Sequence, residues 1–246
     1  MYVTLPHDYY ARRYTGHPVF LGGRYPKLLL RDEENRLYLY KVYRYPVEEL
    51  AAEAEVAAAR VRALAEPATT LRVAILPWNG MRGTIQPFID RARPVDLDAF
   101  FARRDLLRAI LCEHPVDWLI ANHDAHKGHF LLRHGELFCV DKGQAFKYIV
   151  RDRLDPFYHP NRPRGQAEPI YNLLYRDARL ERGPISHALS ARINQIQAMP
   201  DEDLLHAVEK FPGAVARTEF LRLLVERKST LAASFNILYG RLRRSG

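Results

Sequence analysis

Two aspartates, Asp124 and Asp141, stand at the two ends of one predicted β-hairpin, and that pairing limits what this chain can become. The stretch Asn122-His123-Asp124-Ala125-His126-Lys127-Gly128-His129-Phe130 runs into a strand over residues 130–132. A turn, Arg133-His134-Gly135-Glu136, leads to a return strand over 137–140, which delivers Asp141-Lys142-Gly143. A fold that accommodates this pattern must hold two carboxylates and several imidazoles beside a glycine turn. Phosphoryl-transfer sites are assembled in this way: one aspartate orients the attacking hydroxyl, and a second, beyond the returning strand, holds the metal that neutralises the phosphates.

Composition narrows the class. With 48% hydrophobic and 27% charged residues over 246 positions, the chain carries enough apolar material for one domain or two small lobes. Cys112 and Cys139 each sit inside an apolar segment, so they read as small buried hydrophobes in a reducing compartment. The first thirteen residues lack an apolar leader core and no later run approaches spanning length, so the expected setting is cytoplasmic, with no membrane partner. The formal net charge of +8 is spread among interspersed acids, and only Arg241-Leu242-Arg243-Arg244 clusters. No zinc-knuckle, basic-zipper or aromatic RNA-binding signature accompanies it, so nucleic acid is not an expected partner; a basic surface also suits nucleotide or an acidic substrate. Serine-hydrolase, dinucleotide-binding and Walker glycine signatures are absent.

The patterning divides the chain near residue 89. Residues 19–21 and 27–30 read as strands joined by Gly22-Gly23, followed by a polar turn, Asp32-Glu33-Glu34-Asn35, and a strand over 36–43. Alternation puts Leu37, Leu39, Lys41 and Tyr43 of that strand on one face. Pro46 opens a helix to about residue 64, and strands over 71–75 and 83–88 follow, turning at Asn79-Gly80. Asp90-Arg91-Ala92-Arg93-Pro94 reads as an interlobe linker. Helices are expected over 96–104, 105–113 and 116–121, then, after an aperiodic segment over 151–183, over 185–198, 201–209 and 217–238. The expectation is an α+β, two-lobed architecture: an N-lobe of residues 1–89 with an antiparallel sheet and one helix, and a mainly helical C-lobe of residues 90–246.

The loop Asn122 to Phe130 resembles the catalytic loop of HipA-type kinases and of the wider atypical group that includes phosphoinositide kinases and actin-fragmin kinase, where the pattern is N-x-D-x-H-x-x-N-F. Val140-Asp141-Lys142-Gly143-Gln144-Ala145-Phe146 resembles the metal-binding D-x-G segment of that group. The resemblance covers roughly residues 19–148 and implies a kinase-like fold that binds ATP with Mg2+ or Mn2+ and phosphorylates an unidentified protein or small-molecule acceptor. It implies that Asp124 is the catalytic aspartate, that His126 supports its loop and that Asp141 binds metal. Lys41 looks like the lysine that pairs with the phosphates, with Glu55 preferred over Glu53 as its partner. Gln86 and Phe88 would supply backbone groups to the adenine. Two departures stand out: His129 occupies the usual metal-binding asparagine position, and Gly22-Gly23-Arg24 is a thin substitute for a phosphate-covering glycine loop. A nitrogen ligand at 129 suits Mn2+ better than Mg2+.

Two other readings stay open at the level of sequence. The departures fit a non-catalytic kinase-like nucleotide-binding module. His123-Asp124 also resembles the dyad of HD-type metal-dependent phosphohydrolases, with His123, His126 and His129 recurring every third residue. Such a site also needs a histidine from an earlier helix.

Overall fold

The computed structural model describes residues 10–21, 24–147, 149, 169–177, 179–180, 182–211 and 217–244. Its first half is a five-stranded antiparallel sheet, in the order β1-β2-β3-β5-β4, of β1 Tyr14–Pro18, β2 Lys27–Asp32, β3 Leu37–Tyr43, β4 Ala74–Trp78 and β5 Met81–Pro87. Central β3, with three tyrosines, two leucines and a valine among its seven residues, is buried on both faces. Tyr38, Tyr40 and Val42 join Leu30, Leu76 and Ile85 in a small core on one side, and Leu39, Lys41 and Tyr43 face the other way. The β2–β3 turn is held by the Asp32 carboxylate, which accepts the amides of Glu34 at 3.0 Å and Arg36 at 2.9 Å. Glycine is required at position 83, because a Cβ there would lie 2.2 Å from the Lys41 carbonyl oxygen and 2.5 Å from the Tyr40 ring. Glycine thus lets β5 approach β3 beneath the Tyr40 ring, whose hydroxyl donates to Leu76 O at 2.8 Å.

Two strand assignments from sequence are corrected. The first strand is Tyr14–Pro18, not residues 19–21, and Phe20 is fully exposed. It forms because Arg12 ion-pairs with Asp32 and Glu34 at 3.3 and 2.8 Å, pinning Tyr14 opposite Asp32. The Gly22-Gly23 turn lies outside the described residues. Strand β4 begins at Ala74 because the Asn79-Gly80 turn, with φ of 53° and 71°, sets Trp78 opposite Met81 and fixes the register backwards from there.

Helix α1, Pro46–Ala65, starts with proline in its first turn and acids Glu48 and Glu49 near its N-terminus. Its small-residue face, Ala54, Ala57, Ala58, Val61 and Ala65, is buried in the large core formed mostly by the second half of the chain. Its C-terminal end is held by Arg192, which pairs with Glu66 at 2.6 Å.

The second half contains α2 Leu97–Ala102, α3 Arg104–Leu119, the hairpin β7 Phe130–Arg133 and β8 Glu136–Cys139, and helices α4 Ile170–Arg176, α5 Arg182–Gln197, α6 Asp201–Ala207, α7 Arg217–Ser229 and α8 Leu231–Arg244. The end of the expected linker is itself a short strand, β6 Arg93–Pro94, which pairs with β7. Helix α3 runs unbroken where the sequence suggested separate helices over 105–113 and 116–121. Interior Pro115 costs roughly 3 kcal/mol, but Val116, Trp118 and Leu119 beyond it are fully buried, worth roughly 1.5–3 kcal/mol each. The expected helix over 217–238 is divided at Thr230, because the hydroxyls of Ser229 and Thr230 donate to the Glu226 carbonyl at 2.9 and 2.8 Å and compete with the helix ladder. Helix α4 lies inside the segment read as aperiodic; most of that segment is outside the described residues. The architecture is α+β and two-lobed, an antiparallel sheet followed by a helical part. Among the described residues no helix is long and apolar enough to cross a membrane.

Candidate active site

Between the sheet and the β7–β8 hairpin lies a cleft of about 460 Å³. Lys27, Leu39, Lys41 and Gln86 line it from the sheet, Phe88, Ile89 and Pro94 from the connection, and His126, His129, Leu131 and Asp141 from the hairpin side. Central to it is an ion cluster from three elements, in which Lys41 and Glu55 are buried and Asp141 is half-buried at the cleft wall. Lys41 Nζ from β3 donates to Glu55 Oε1 of α1 at 2.5 Å and to Asp141 Oδ1 at 2.9 Å. Glu55 is fixed further by the hydroxyls of Tyr43 and Thr84, at 3.1 and 3.0 Å. Glu53 points elsewhere, with its carboxylate 3.9 Å from Arg82. Burial opposes the charge on Lys41, yet the Glu55 and Asp141 carboxylates outweigh it and raise its pKa above the ordinary lysine value.

Asp141 follows β8 in the left-handed region, φ 58°, a strained conformation that costs of order 1 kcal/mol or more. Burial raises its pKa, but the ammonium of Lys41 and the neighbouring His129 hold the carboxyl well below the usual range, so it is ionised. Its Oδ2 lies 3.8 Å from His129 Nε2. That separation is shorter than two metal–ligand bonds of about 2.1 Å end to end, so one divalent cation fits between them. Burial lowers the His129 pKa from the ordinary imidazole value near 6.5 to about 4, so at neutral pH the ring is in its ligand form.

Asp124 sits on the loop leading into β7 and is partly buried. Burial raises its pKa, and the charge of Asp141 adds to the effect. Its carbonyl accepts the His126 amide at 2.8 Å, and His126 Nδ1 in turn accepts the Gly128 amide at 3.1 Å, so the loop is shaped by its own backbone. Side-chain donor atoms of Asp124, His126 and His129 lie within 4.8 Å of one another. Gln86 and Phe88 both line the cleft, but the Phe88 amide already donates to Leu37 O at 2.9 Å. That N–H is therefore not free to bind a ligand.

A second group of charges, missed in the sequence, lies directly beneath the site. Lys142, next to Asp141, is buried and pairs with Asp117 and, at 3.0 Å, with Glu113. Arg62 of α1 meets Glu113 at 2.8 Å. Tyr171 of α4 and Asn122 of the loop donate to Asp117 at 2.6 and 3.0 Å. The available signal was Glu113 and Asp117 one helical turn apart within the apolar half of α3. His114 between them stacks on Tyr171 and meets the Tyr175 hydroxyl at 3.1 Å. It belongs to the core and is not the extra ligand that the phosphohydrolase reading requires.

No family model and no curated protein matches the chain. Solved structures do. The Helicobacter pylori proinflammatory kinase CtkA superposes over 95% of this chain and 97% of its own length, with TM-score 0.58 and 11% identity. A chain of the HipA–HipB toxin–antitoxin complex with operator DNA from Shewanella oneidensis MR-1 matches 87% of this chain and 64% of its own length, with TM-score 0.50 and 12% identity. At such identities the likeness is one of fold, and that fold is atypical kinase-like.

Proposed function

We propose that this chain is an ATP-dependent phosphotransferase that acts on a hydroxyl of a protein or small molecule. The observation that carries the reading is the convergence of Lys41, Glu55 and Asp141 from three separate elements at the wall of a cleft that also holds the Asp124 loop. Nucleotide phosphates would lie against Lys41, which Glu55 keeps aligned. Gln86 and the carbonyl side of Phe88 would border the purine. A divalent cation, Mg2+ or Mn2+, would be held by Asp141 and His129 and would neutralise charge on the transferring phosphoryl group. Asp124 would orient the acceptor hydroxyl and take its proton as the oxygen attacks the γ-phosphorus and the bond to the β–γ bridging oxygen breaks, leaving ADP. His126, through its contact with the Gly128 amide, would hold the loop that carries Asp124. In this reading the lobes divide at residues 89 and 90.

One feature favours a second reading, a non-catalytic nucleotide-binding module: the metal-side residue is His129, where related loops carry asparagine. Incubation with ATP labelled at the γ or the α position, in Mg2+ and in Mn2+, separates the readings. Transfer of γ-label to added protein or small-molecule acceptors, more in Mn2+ than in Mg2+, is the expected result. Transfer of α-label would mean nucleotidyl transfer, and binding of ATP with transfer of neither label would support the non-catalytic module.

A further inference from the structure

We infer that Asp124, His126 and His129 form a binding site of their own for a borderline transition-metal ion such as Zn2+, filled without nucleotide. The ion would occupy the carboxylate that phosphoryl transfer needs, so it would act as an inhibitor; this consequence, though not the binding, rests on the phosphotransferase reading.

The donors are preassembled. A single turn of 3-10 helix, Lys127–His129, carries the second imidazole, and the His129 amide closes it by donating to His126 O at 2.9 Å. Closure brings the two rings to 3.7 Å between centroids at 38°, with a donor atom of Asp124 within 4.8 Å of a nitrogen of each. Two imidazoles packed this closely with a carboxylate match the three-ligand sets of zinc sites that keep an open position. The same set suits Mg2+ poorly, because that ion requires oxygen ligands. Two further features point to a cation. His129 Nδ1 is buried without a well-formed hydrogen bond among the described residues, although the ring also interacts with the Asp124 backbone, and a metal bond would satisfy it. His126 Nδ1 presents its lone pair to the Gly128 amide at 3.1 Å, and a cation can replace that amide. Gly128 itself lets the ring sit there: a Cβ at this position would lie 3.0 Å from His126 Cε1. The proposed nucleotide-dependent cation shares His129 with this site but differs in its other ligands, Asp141 and the phosphates.

The test uses tag-free, nucleotide-free protein. Co2+ is titrated while visible absorption is followed, and Zn2+ affinity is measured against a chromogenic chelator. One equivalent should bind, with an intense tetrahedral Co2+ spectrum, and millimolar Mg2+ should not compete. His126→Gln and His129→Asn should each weaken Zn2+ by at least about tenfold, and Gly128→Ala, which keeps every ligand but displaces the His126 ring, should weaken it less. His123→Gln should leave it unchanged. Absence of binding by the wild-type protein, or equal affinity in the His126 and His129 variants, overturns the site. So does loss of binding on His123→Gln alone. Phosphoryl transfer without Zn2+ binding refutes this inference only; Zn2+ binding without any transfer leaves the site standing and removes the phosphotransferase reading.

Discussion

Replacing Asp124 with asparagine should lower phosphoryl transfer by roughly two to four orders of magnitude, the usual contribution of a positioned general base, while ATP affinity and thermal stability stay at wild-type levels. Asparagine keeps the shape of the side chain and removes only its capacity to accept a proton. The loop should survive the change, because its contacts at this residue are made by backbone: the carbonyl accepts the His126 amide at 2.8 Å and the amide faces Asn122 Oδ1 at 3.3 Å. Steady-state turnover measured beside nucleotide titration and a thermal melt separates the effects. Unchanged turnover would remove Asp124 from the catalytic role.

Lys142→Met should strongly destabilise the fold. The methionine fills most of the space but leaves Asp117 and Glu113 facing a buried site without their ammonium. Breaking a buried pair from one side costs roughly 3–5 kcal/mol, which for a chain of this length lowers Tm by about 10 °C. Tyr171, Asn122 and Arg62 remain as partners of the two carboxylates and place the cost at the lower end of that range. The pH dependence has a definite sign. Burial pushes the Glu113 pKa up, but Arg62 and Lys142 hold it well below the ordinary value, so its contribution is present above about pH 4.5 and is lost as pH falls through the lowered folded value. The gap in Tm between wild type and variant should therefore narrow in acid. Melts at pH 7 and pH 3 check this, the lower pH lying between the ordinary and the folded values; equal Tm at pH 7 would mean that Lys142 makes no net contribution.

The parts of this protein that were legible in its sequence are those set by local rules. Asn79-Gly80 dictated a two-residue hairpin, the turn read over Arg133-His134-Gly135-Glu136 was rightly placed though it closes on His134-Gly135 alone, alternation placed Lys41 on a defined face of β3, and the proline of α1 marked its start. Less legible were features decided by distant partners. Strand β1 has little strand character in Tyr14-Thr15-Gly16-His17-Pro18 and is recruited by the edge of β2. Helix α3 passes through Pro115 because burial beyond it outweighs the lost hydrogen bond. Glu113 and Asp117 resemble surface acids until Lys142, 25 positions beyond Asp117, is brought to them. The cleft followed the same division. Its loop and hairpin could be read directly, whereas the engagement of the Phe88 amide by Leu37 and the low pKa of His129 depend on packing that no local pattern encodes.

In the proposed function, Lys41, Glu55 and Asp141 build a metal–nucleotide site. Calorimetric titration of ATP into the wild-type protein and Asp141→Ala, with Mn2+ or Mg2+ present and then with chelator, tests it most directly. The expected result is metal-dependent binding to the wild-type protein that is stronger with Mn2+, is weakened at least about hundredfold by Asp141→Ala, and disappears with chelator. Equal affinity for ATP in both proteins, or none in the wild type under any metal, would contradict it.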